Sequence, residues 1–210
     1  KFGYWRDTHL RIEGSSVHPL QARFLLDWNQ ASAKQHKVNY DESYFPAIPQ
    51  KGDVPIQIVC SGPDTEFPVI KNAYINMIMN AKRYVYIQSP YFIPDDAFFE
   101  TVRIAALTGI DVRILIPNKP DHMFVYWATY SYVGQLLAAG AKVYIYENGF
   151  IHAKSIVVDD EVSTVGTANI DVRSFSLNFE VNAFIYDKKI SHELAEIFER
   201  DILDSTELTL

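Results

Sequence analysis

The chain has 210 residues, of which 48% are hydrophobic, 14% aromatic and 21% charged. This composition excludes a disordered chain, because disordered segments lack the apolar and aromatic residues that a folded core needs. The net charge of -7 disfavours broad affinity for nucleic acid or anionic lipid, so no nucleic-acid partner is expected and any phosphate site must be local.

The cysteine content and the apolar runs indicate the compartment. The single cysteine, Cys60, can form no internal disulfide, which is typical of a reducing, cytosolic setting. No apolar run approaches the roughly 18 residues of a membrane span, and no signal peptide is recognisable. We therefore expect this chain to be soluble.

The first predicted elements follow a long irregular segment. Residues 35–53 contain prolines, a glycine and polar residues without a helical or strand period, which indicates a linker or surface loop. Branched residues predict a strand over 55–60. Apolar residues at helical spacing predict a helix over 70–81, which Asp64 and Thr65 can cap.

Strands and helices then alternate. The predicted elements are a strand over 84–88, a helix from Asp95 to Gly109, a strand over 112–116, a helix from about Asp121 to Gly140, strands over 142–146, 151–158, 161–165 and 180–186, and a helix over 191–203. Strand–helix–strand repeats at this spacing indicate βαβ units. The predicted fold class is α/β, with a mixed, mainly parallel sheet flanked by helices.

One group of residues predicts phosphoryl chemistry. His152 and Lys154 are two residues apart at the start of a predicted strand, so they project from the same face. Lys154 can stabilise charge on phosphoryl oxygens, while His152 can attack phosphorus or carry a proton. Thr167 and Asn169 can donate hydrogen bonds to the same oxygens. Glu180 is the candidate carboxylate that fixes the tautomer of His152.

A metal site is not expected at this group. Lysine is not a usual metal ligand, and neither a second histidine nor a cysteine lies nearby in the sequence.

The same residues form a recognisable pattern. In order they resemble the HxKxxxxD and GSxN signature of the phospholipase D superfamily, through His152, Lys154, Asp159, Gly166, Thr167 and Asn169. Thr167 replaces the usual serine and keeps the hydroxyl. The flanking segments 4–14, 89–95 and 118–122 resemble those of bacterial cardiolipin synthases.

The resemblance implies a phosphatidyltransferase that moves a phosphatidyl group between two phosphatidylglycerol molecules and releases glycerol. It implies a covalent phosphohistidine intermediate and no cofactor or metal. It also implies that Lys154 and Asn169 bind the phosphoryl oxygens, that Glu180 holds His152, and that His152 acts as general acid and base. Asp159 belongs to the signature, but its position at a turn favours a structural role through bonds to backbone amides.

Members of the superfamily carry two such motifs, and this chain carries one. Segment 7–12 is placed like segment 180–185, and each precedes a helix with an F-x-x-D element. In this interpretation Asp7 is the counterpart of Glu180 and would orient the histidine of the missing half. The expected domains are the tail of a first half (1–35), a linker (36–53) and a second half with the motif (54–210).

Two alternatives to a half-site of a synthase stay open. One is a homodimer with two His152 residues facing each other, acting as a phospholipase D-type phosphodiesterase or an endonuclease, although the acidic composition disfavours a nuclease. The other is a catalytically inert half-site. The resemblance also implies that the parent protein lies at the cell membrane, with its catalytic part on the cytoplasmic side.

Overall fold

The structure, a computed structural model, describes residues 3–49, 51–118 and 123–209. Within these ranges the elements are β1 (Trp5–Arg6), α1 (Val17–Ala31), β2 (Ile56–Ser61), α2 (Val69–Met79), β3 (Tyr84–Gln88), β4 (Phe92–Ile93), α3 (Asp96–Leu107), β5 (Asp111–Pro117), α4 (Met123–Ala138), β6 (Lys142–Tyr146), β7 (Phe150–Ile151), β8 (Ser155–Val158), β9 (Val162–Gly166), β10 (Ile170–Asp171), α5 (Val172–Ser176), β11 (Glu180–Ile185), α6 (Lys188–Leu203) and β12 (Ser205–Leu208). Two short 3-10 turns, Lys34–His36 and Glu42–Tyr44, lie between α1 and β2.

Eight strands form the main sheet, in the order β12-β6-β5-β3-β8-β9-β11-β2. The α/β class and the mixed sheet are confirmed, but the expectation of mainly parallel pairing is wrong. The pairs β3–β5 and β5–β6 are parallel, whereas the other five neighbouring pairs of the described sheet are antiparallel. The reason is that β8 and β9 are joined by a tight turn and β2 crosses to the edge beside β11, so only β3, β5 and β6 keep helical crossovers between neighbours.

Helices cover both faces of this sheet. Along β3, Val85 and Ile87 belong to the buried cluster that contains residues of α2, α3 and α4. Tyr86, between them, belongs to the cluster that contains Leu194 and Phe198 of α6. This alternation follows from the two-residue period of a strand and gives three layers, helix, sheet and helix.

The start of α2 differs from the expectation. The helix predicted over 70–81 begins directly after Pro68 and has no side-chain cap. The Thr65 hydroxyl instead donates to the Gly62 carbonyl oxygen (2.7 Å) in the preceding turn, so neither Asp64 nor Thr65 caps α2.

The predicted helix start at Asp121 lies outside the described residues. Within the described residues, no helix has the length and apolar character to cross a membrane.

Asp159 ties the end of β8 to the start of β3. Its buried carboxylate accepts hydrogen bonds from the backbone N–H groups of Lys82 (2.7 Å), Arg83 (2.8 Å) and Tyr84 (2.8 Å). The backbone of Asp159 is left-handed (φ 57°), a conformation that Asp tolerates better than most residues. This turn lies at the opposite end of β8 from His152, which accounts for Asp159 as a structural residue.

We therefore expect Asp159→Ala to lower the free energy of unfolding by about 3 kcal/mol, because three amide donors lose their acceptor and alanine fits the left-handed backbone poorly. Asp159→Asn tolerates that backbone and keeps one acceptor oxygen, so it should lose less. Urea denaturation measures both variants. The control is Glu161→Ala, an exposed change in the same turn that should stay within about 0.5 kcal/mol of the wild type. An equal loss in the control would contradict the assigned role of Asp159.

Candidate active site

A two-stranded parallel ladder brings the amino-terminal segment to the predicted motif. β1 pairs with β7, with Arg6 opposite Ile151. The ladder continues where the His152 N–H donates to the Arg6 carbonyl oxygen (2.8 Å). Residues that follow paired parallel strands lie side by side, so Asp7 and His152 are brought together.

Gly149 permits this close pairing. Its φ of 117° lies in the left-handed half of backbone space, and a Cβ built on it would stand 2.2 Å from the carbonyl oxygen of Tyr4. The N–H of Phe150 donates to that same oxygen (2.8 Å). Any side chain at Gly149 would therefore separate β1 from β7.

His152 is held by Asp7. The distance from His152 Nδ1 to Asp7 Oδ2 is 3.0 Å. Partial burial raises the pKa of the Asp7 carboxyl, but the hydrogen bond and charge of His152, with the Thr8 N–H and the charge of Lys154, together hold this pKa below its usual value. The expectation that Glu180 holds His152, with Asp7 left for another histidine, is reversed here, because β1 adds to this half through β7.

Glu180 lies in a different set of contacts. It begins β11, is buried, and accepts hydrogen bonds from the Thr167 hydroxyl and from Asn178 Nδ2 (3.2 Å). The Thr167 hydroxyl also accepts from the Val181 N–H (2.9 Å). Since a hydroxyl has one proton, Thr167 in this arrangement positions the Glu180 carboxylate and offers no donor to a phosphoryl group.

Lys154 supplies the positive charge. It lies in the extended connection between β7 and β8, and its Nζ donates to the His152 carbonyl oxygen (2.6 Å). Burial lowers the pKa of Lys154 to about 8, although the charges of Asp7 and Glu180 act in the opposite direction. Lys154 is thus a partly buried cation within the electrostatic influence of both carboxylates.

The loop after β9 closes the site. The Gly166 N–H donates to the Lys154 carbonyl oxygen (3.2 Å), and a Cβ on Gly166 would lie 2.3 Å from the Asn182 side chain. Asn182 Oδ1 accepts from the Ala168 N–H (3.3 Å). Asn169 Oδ1 is buried without a hydrogen-bond partner among the described residues. Because the rest of Asn169 is only half-buried, its amide can turn either end to a ligand, which keeps Asn169 as a candidate donor.

The structure thus gathers most of the sequence-predicted site residues at one end of the interior strands β8, β9 and β11, and leaves Asp159 at the other end of β8. The gathered residues are Asp7, His152, Lys154, Thr167, Asn169 and Glu180. No cluster of His, Cys, Asp and Glu suited to a metal ion is found among the described residues.

A buried polar network beneath the site was missed by the sequence reasoning. Asp201 accepts both Arg6 Nε (2.8 Å) and Arg6 Nη2 (2.9 Å), and Gln88 Nε2 donates to the same carboxylate (2.7 Å). Gln88 Oε1 accepts from the Ser155 hydroxyl (2.9 Å). The available signal was the F-x-x-D element ending at Asp201, which gave a position without a partner.

Comparisons with known proteins agree with the geometry. The family described as "Cardiolipin synthase, PLD-like domain" matches residues 74–202. The chain is 64% identical over 209 residues to the major cardiolipin synthase ClsA of Bacillus subtilis strain 168, and 59% identical over 209 residues to the cardiolipin synthase of Listeria innocua. Each alignment covers 100% of this chain and 43% of the relative. The chain therefore spans less than half the length of these curated relatives.

Solved structures share the fold. Nuc from Salmonella typhimurium, a phospholipase D family member, superimposes with a TM-score of 0.64 at 18% identity, over 75% of this chain and 100% of that chain. Phosphatidylserine synthase from Haemophilus influenzae gives 0.59 at 15% identity, over 74% of this chain and 40% of that chain. At such identities the likeness concerns the fold.

Proposed function

Since the chain belongs to the family of cardiolipin synthase PLD-like domains, we propose that it supplies half of a phosphatidyltransferase active site. The proposed reaction joins two phosphatidylglycerol molecules into cardiolipin and releases glycerol. The observation that carries the proposal is the Asp7–His152 hydrogen bond beside the Lys154 ammonium. An oriented imidazole next to a partly buried cation is suited to phosphoryl transfer.

We propose that the second half of the site belongs to a preceding domain, which is supported by the greater length of the relatives, of which this chain covers 43%. Among the described residues, the Glu180 carboxylate contacts no histidine, and its polar contacts are Thr167 and Asn178. We assign Glu180 to the histidine of that preceding half, by the same geometry that gives Asp7 to His152. Phe24, Leu26 and Trp28 of α1 are exposed, as expected of a surface that the preceding half covers. The proposal includes the domain division into the tail of the first half (1–35), a linker (36–53) and the second half (54–210).

The proposed transfer takes place in two steps. The histidine nitrogen of the preceding half attacks the phosphorus of the first phosphatidylglycerol, and the bond from phosphorus to the glycerol oxygen breaks while His152 gives that oxygen a proton. His152 then takes the proton from a hydroxyl of the second phosphatidylglycerol. That oxygen attacks phosphorus, and the phosphorus–nitrogen bond breaks. Asp7 keeps Nδ1 of His152 protonated, so that Nε2 is the atom that gives and takes the transferred proton. Lys154 binds a phosphoryl oxygen.

The experiment incubates phosphatidylglycerol vesicles with this chain alone, and with the chain joined to the preceding half of its Bacillus subtilis relative. Products are measured by mass spectrometry. We expect equimolar cardiolipin and glycerol from the joined protein and none from the chain alone. The matched control is His192→Ala, an exposed histidine of α6 that should leave the joined protein active.

The other outcomes separate the alternatives. Cardiolipin or phosphatidic acid from the chain alone, with a rate that rises as the square of its concentration, would show a homodimeric site. Phosphatidic acid alone from the joined protein would make the chain half of a phospholipase rather than of a transferase. No product from the joined protein would contradict the proposed function.

A further inference from the structure

We propose that Asp201 is a positioning residue for His152, which acts by holding Arg6 and, through it, the Asp7 carboxylate. The inference rests on the proposed function only for the chemical role of His152. The linkage itself, from α6 to the imidazole, stands on contacts of the described residues.

Asp201 is itself firmly fixed. It lies in the last turn of α6, is buried, and accepts two parallel hydrogen bonds from the Arg6 guanidinium (2.8 and 2.9 Å). Gln88 at the end of β3 donates to the same carboxylate (2.7 Å) and accepts from Ser155 at the start of β8 (2.9 Å). A bidentate arginine–carboxylate pair fixes the orientation of the two groups as well as the distance between them. The guanidinium of Arg6 is therefore bound directly to α6 and, through Asp201 and Gln88, linked to β3 and β8.

Arg6 passes this constraint to Asp7. Its Nη1 donates to the Asp7 carbonyl oxygen and lies 3.4 Å from the Thr8 hydroxyl oxygen. β1 has two residues and pairs with β7 in a separate two-stranded ladder, which is too short to be stable by itself. The Asp201–Arg6 pair adds a buried anchor to the packing of Trp5 on Phe150 and His152, so the position of the Asp7 carboxylate depends in part on a residue that does not touch His152.

A displaced Asp7 would change the state of His152. A carboxylate at Nδ1 selects the tautomer with the proton on Nδ1 and leaves Nε2 free to take a proton. Without that partner, a neutral imidazole exchanges between both tautomers. The proposal therefore predicts a spectroscopic change at His152 when Asp201 is altered, whereas a purely structural ion pair would change only the melting temperature.

The test measures the 15N chemical shifts of the His152 ring nitrogens in the labelled chain, at a pH where the imidazole is neutral. The signals are assigned by their loss in His152→Gln. In the wild type we expect two well-separated signals, with the proton on Nδ1. In Asp7→Asn, which removes the carboxylate at Nδ1, the two signals should move towards each other. Asp201→Asn and Arg6→Gln should shift them in the same direction. The matched control, Asp204→Asn, removes an exposed carboxylate at the same end of α6 and should leave both signals unchanged.

Thermal unfolding of each variant shows whether it is folded at the temperature of the spectra. If Asp201→Asn is unfolded, the folded Arg6→Gln variant decides, since it removes the same pair from β1. A lowered melting temperature with unchanged His152 signals in Asp201→Asn and Arg6→Gln would overturn the proposal and leave Asp201 a stabilising residue. Unchanged signals in Asp7→Asn would overturn it as well, because Asp7 would then not set the tautomer.

Discussion

Replacing His152 by alanine is expected to lower phosphatidyl transfer by about 10³-fold in a protein that carries both halves of the site. The variant removes the group that would protonate the leaving glycerol and later deprotonate the accepting hydroxyl. Folding should be little affected, because the His152 side chain lies at the edge of the site and its contact with Asp7 is partly exposed. Cardiolipin formation from phosphatidylglycerol vesicles gives the rate, and urea denaturation confirms that the variant folds.

A change of substrate separates the two roles that a histidine can have. A phosphatidyl ester of p-nitrophenol releases a stable anion, so its departure needs no general acid. If His152 is the acid and base, the Ala variant should still release about one equivalent of p-nitrophenol and then stop, since the second step needs the base. Absence of this burst, with a burst in the wild type, would show that His152 is the nucleophile. The control is His192→Ala, which should behave as the wild type.

Replacing Lys154 by methionine is expected to slow transfer strongly and at the same time to stabilise the fold. Methionine removes the cation that would bind the phosphoryl oxygen, for a loss of about 10²- to 10³-fold in transfer rate. It also removes a charge that burial disfavours, since the pKa of Lys154 is lowered to about 8. Below that pKa the folded protein holds an ammonium in a half-buried site. We expect Lys154→Met to raise the free energy of unfolding by about 1 kcal/mol near pH 7, a value reduced for the remaining solvent exposure.

The pH dependence of this difference has a definite sign. The folded-state pKa lies below the ordinary value of 10.5, so between about pH 8 and 10.5 the unfolded chain binds more protons than the folded one. The wild type should therefore gain stability relative to Lys154→Met as the pH rises through this range. Urea denaturation at several pH values measures the gap, with Lys188→Met, an exposed lysine, as the control. A gap that is constant with pH would contradict a buried, charge-sensitive Lys154.

The local patterns of this sequence predict much of the fold, because each depends on neighbouring residues. The apolar stripe over 70–81 and the branched run over 84–88 correspond to α2 and β3. The strand order could not be predicted, because the position of β2 beside β11 depends on packing between residues about 125 apart in the chain. The expectation of a mainly parallel sheet failed for this reason.

In the site, too, local features could be predicted and long-range pairing could not. His152 and Lys154 were predictable because the motif places them two residues apart, with chemistry that follows from their types. The pairing of Asp7 with His152 was not, because it depends on β1 joining β7 across 145 positions of sequence. The similar placement of segments 7–12 and 180–185 showed that Asp7 and Glu180 are corresponding carboxylates. It did not show which half each one serves.

Because β1 pairs with β7, residues 36–53 also keep the two sides of the Asp7–His152 contact in one molecule. Asp7 and His152 lie on opposite sides of this stretch, so an intact peptide keeps them at a high effective concentration. Proteolytic cleavage within 36–53 would turn their hydrogen bond into a contact between two molecules, held by the β1–β7 ladder, the Arg6–Asp201 pair, the packing of Leu10 on the core and the contacts of Arg23 with Asp64 and Phe179. Dilution after such a cut should then inactivate the histidine while α2, the main sheet and α6 remain folded. A split version of the protein that is meant to keep the Asp7–His152 pair in one piece would have to be divided before β1.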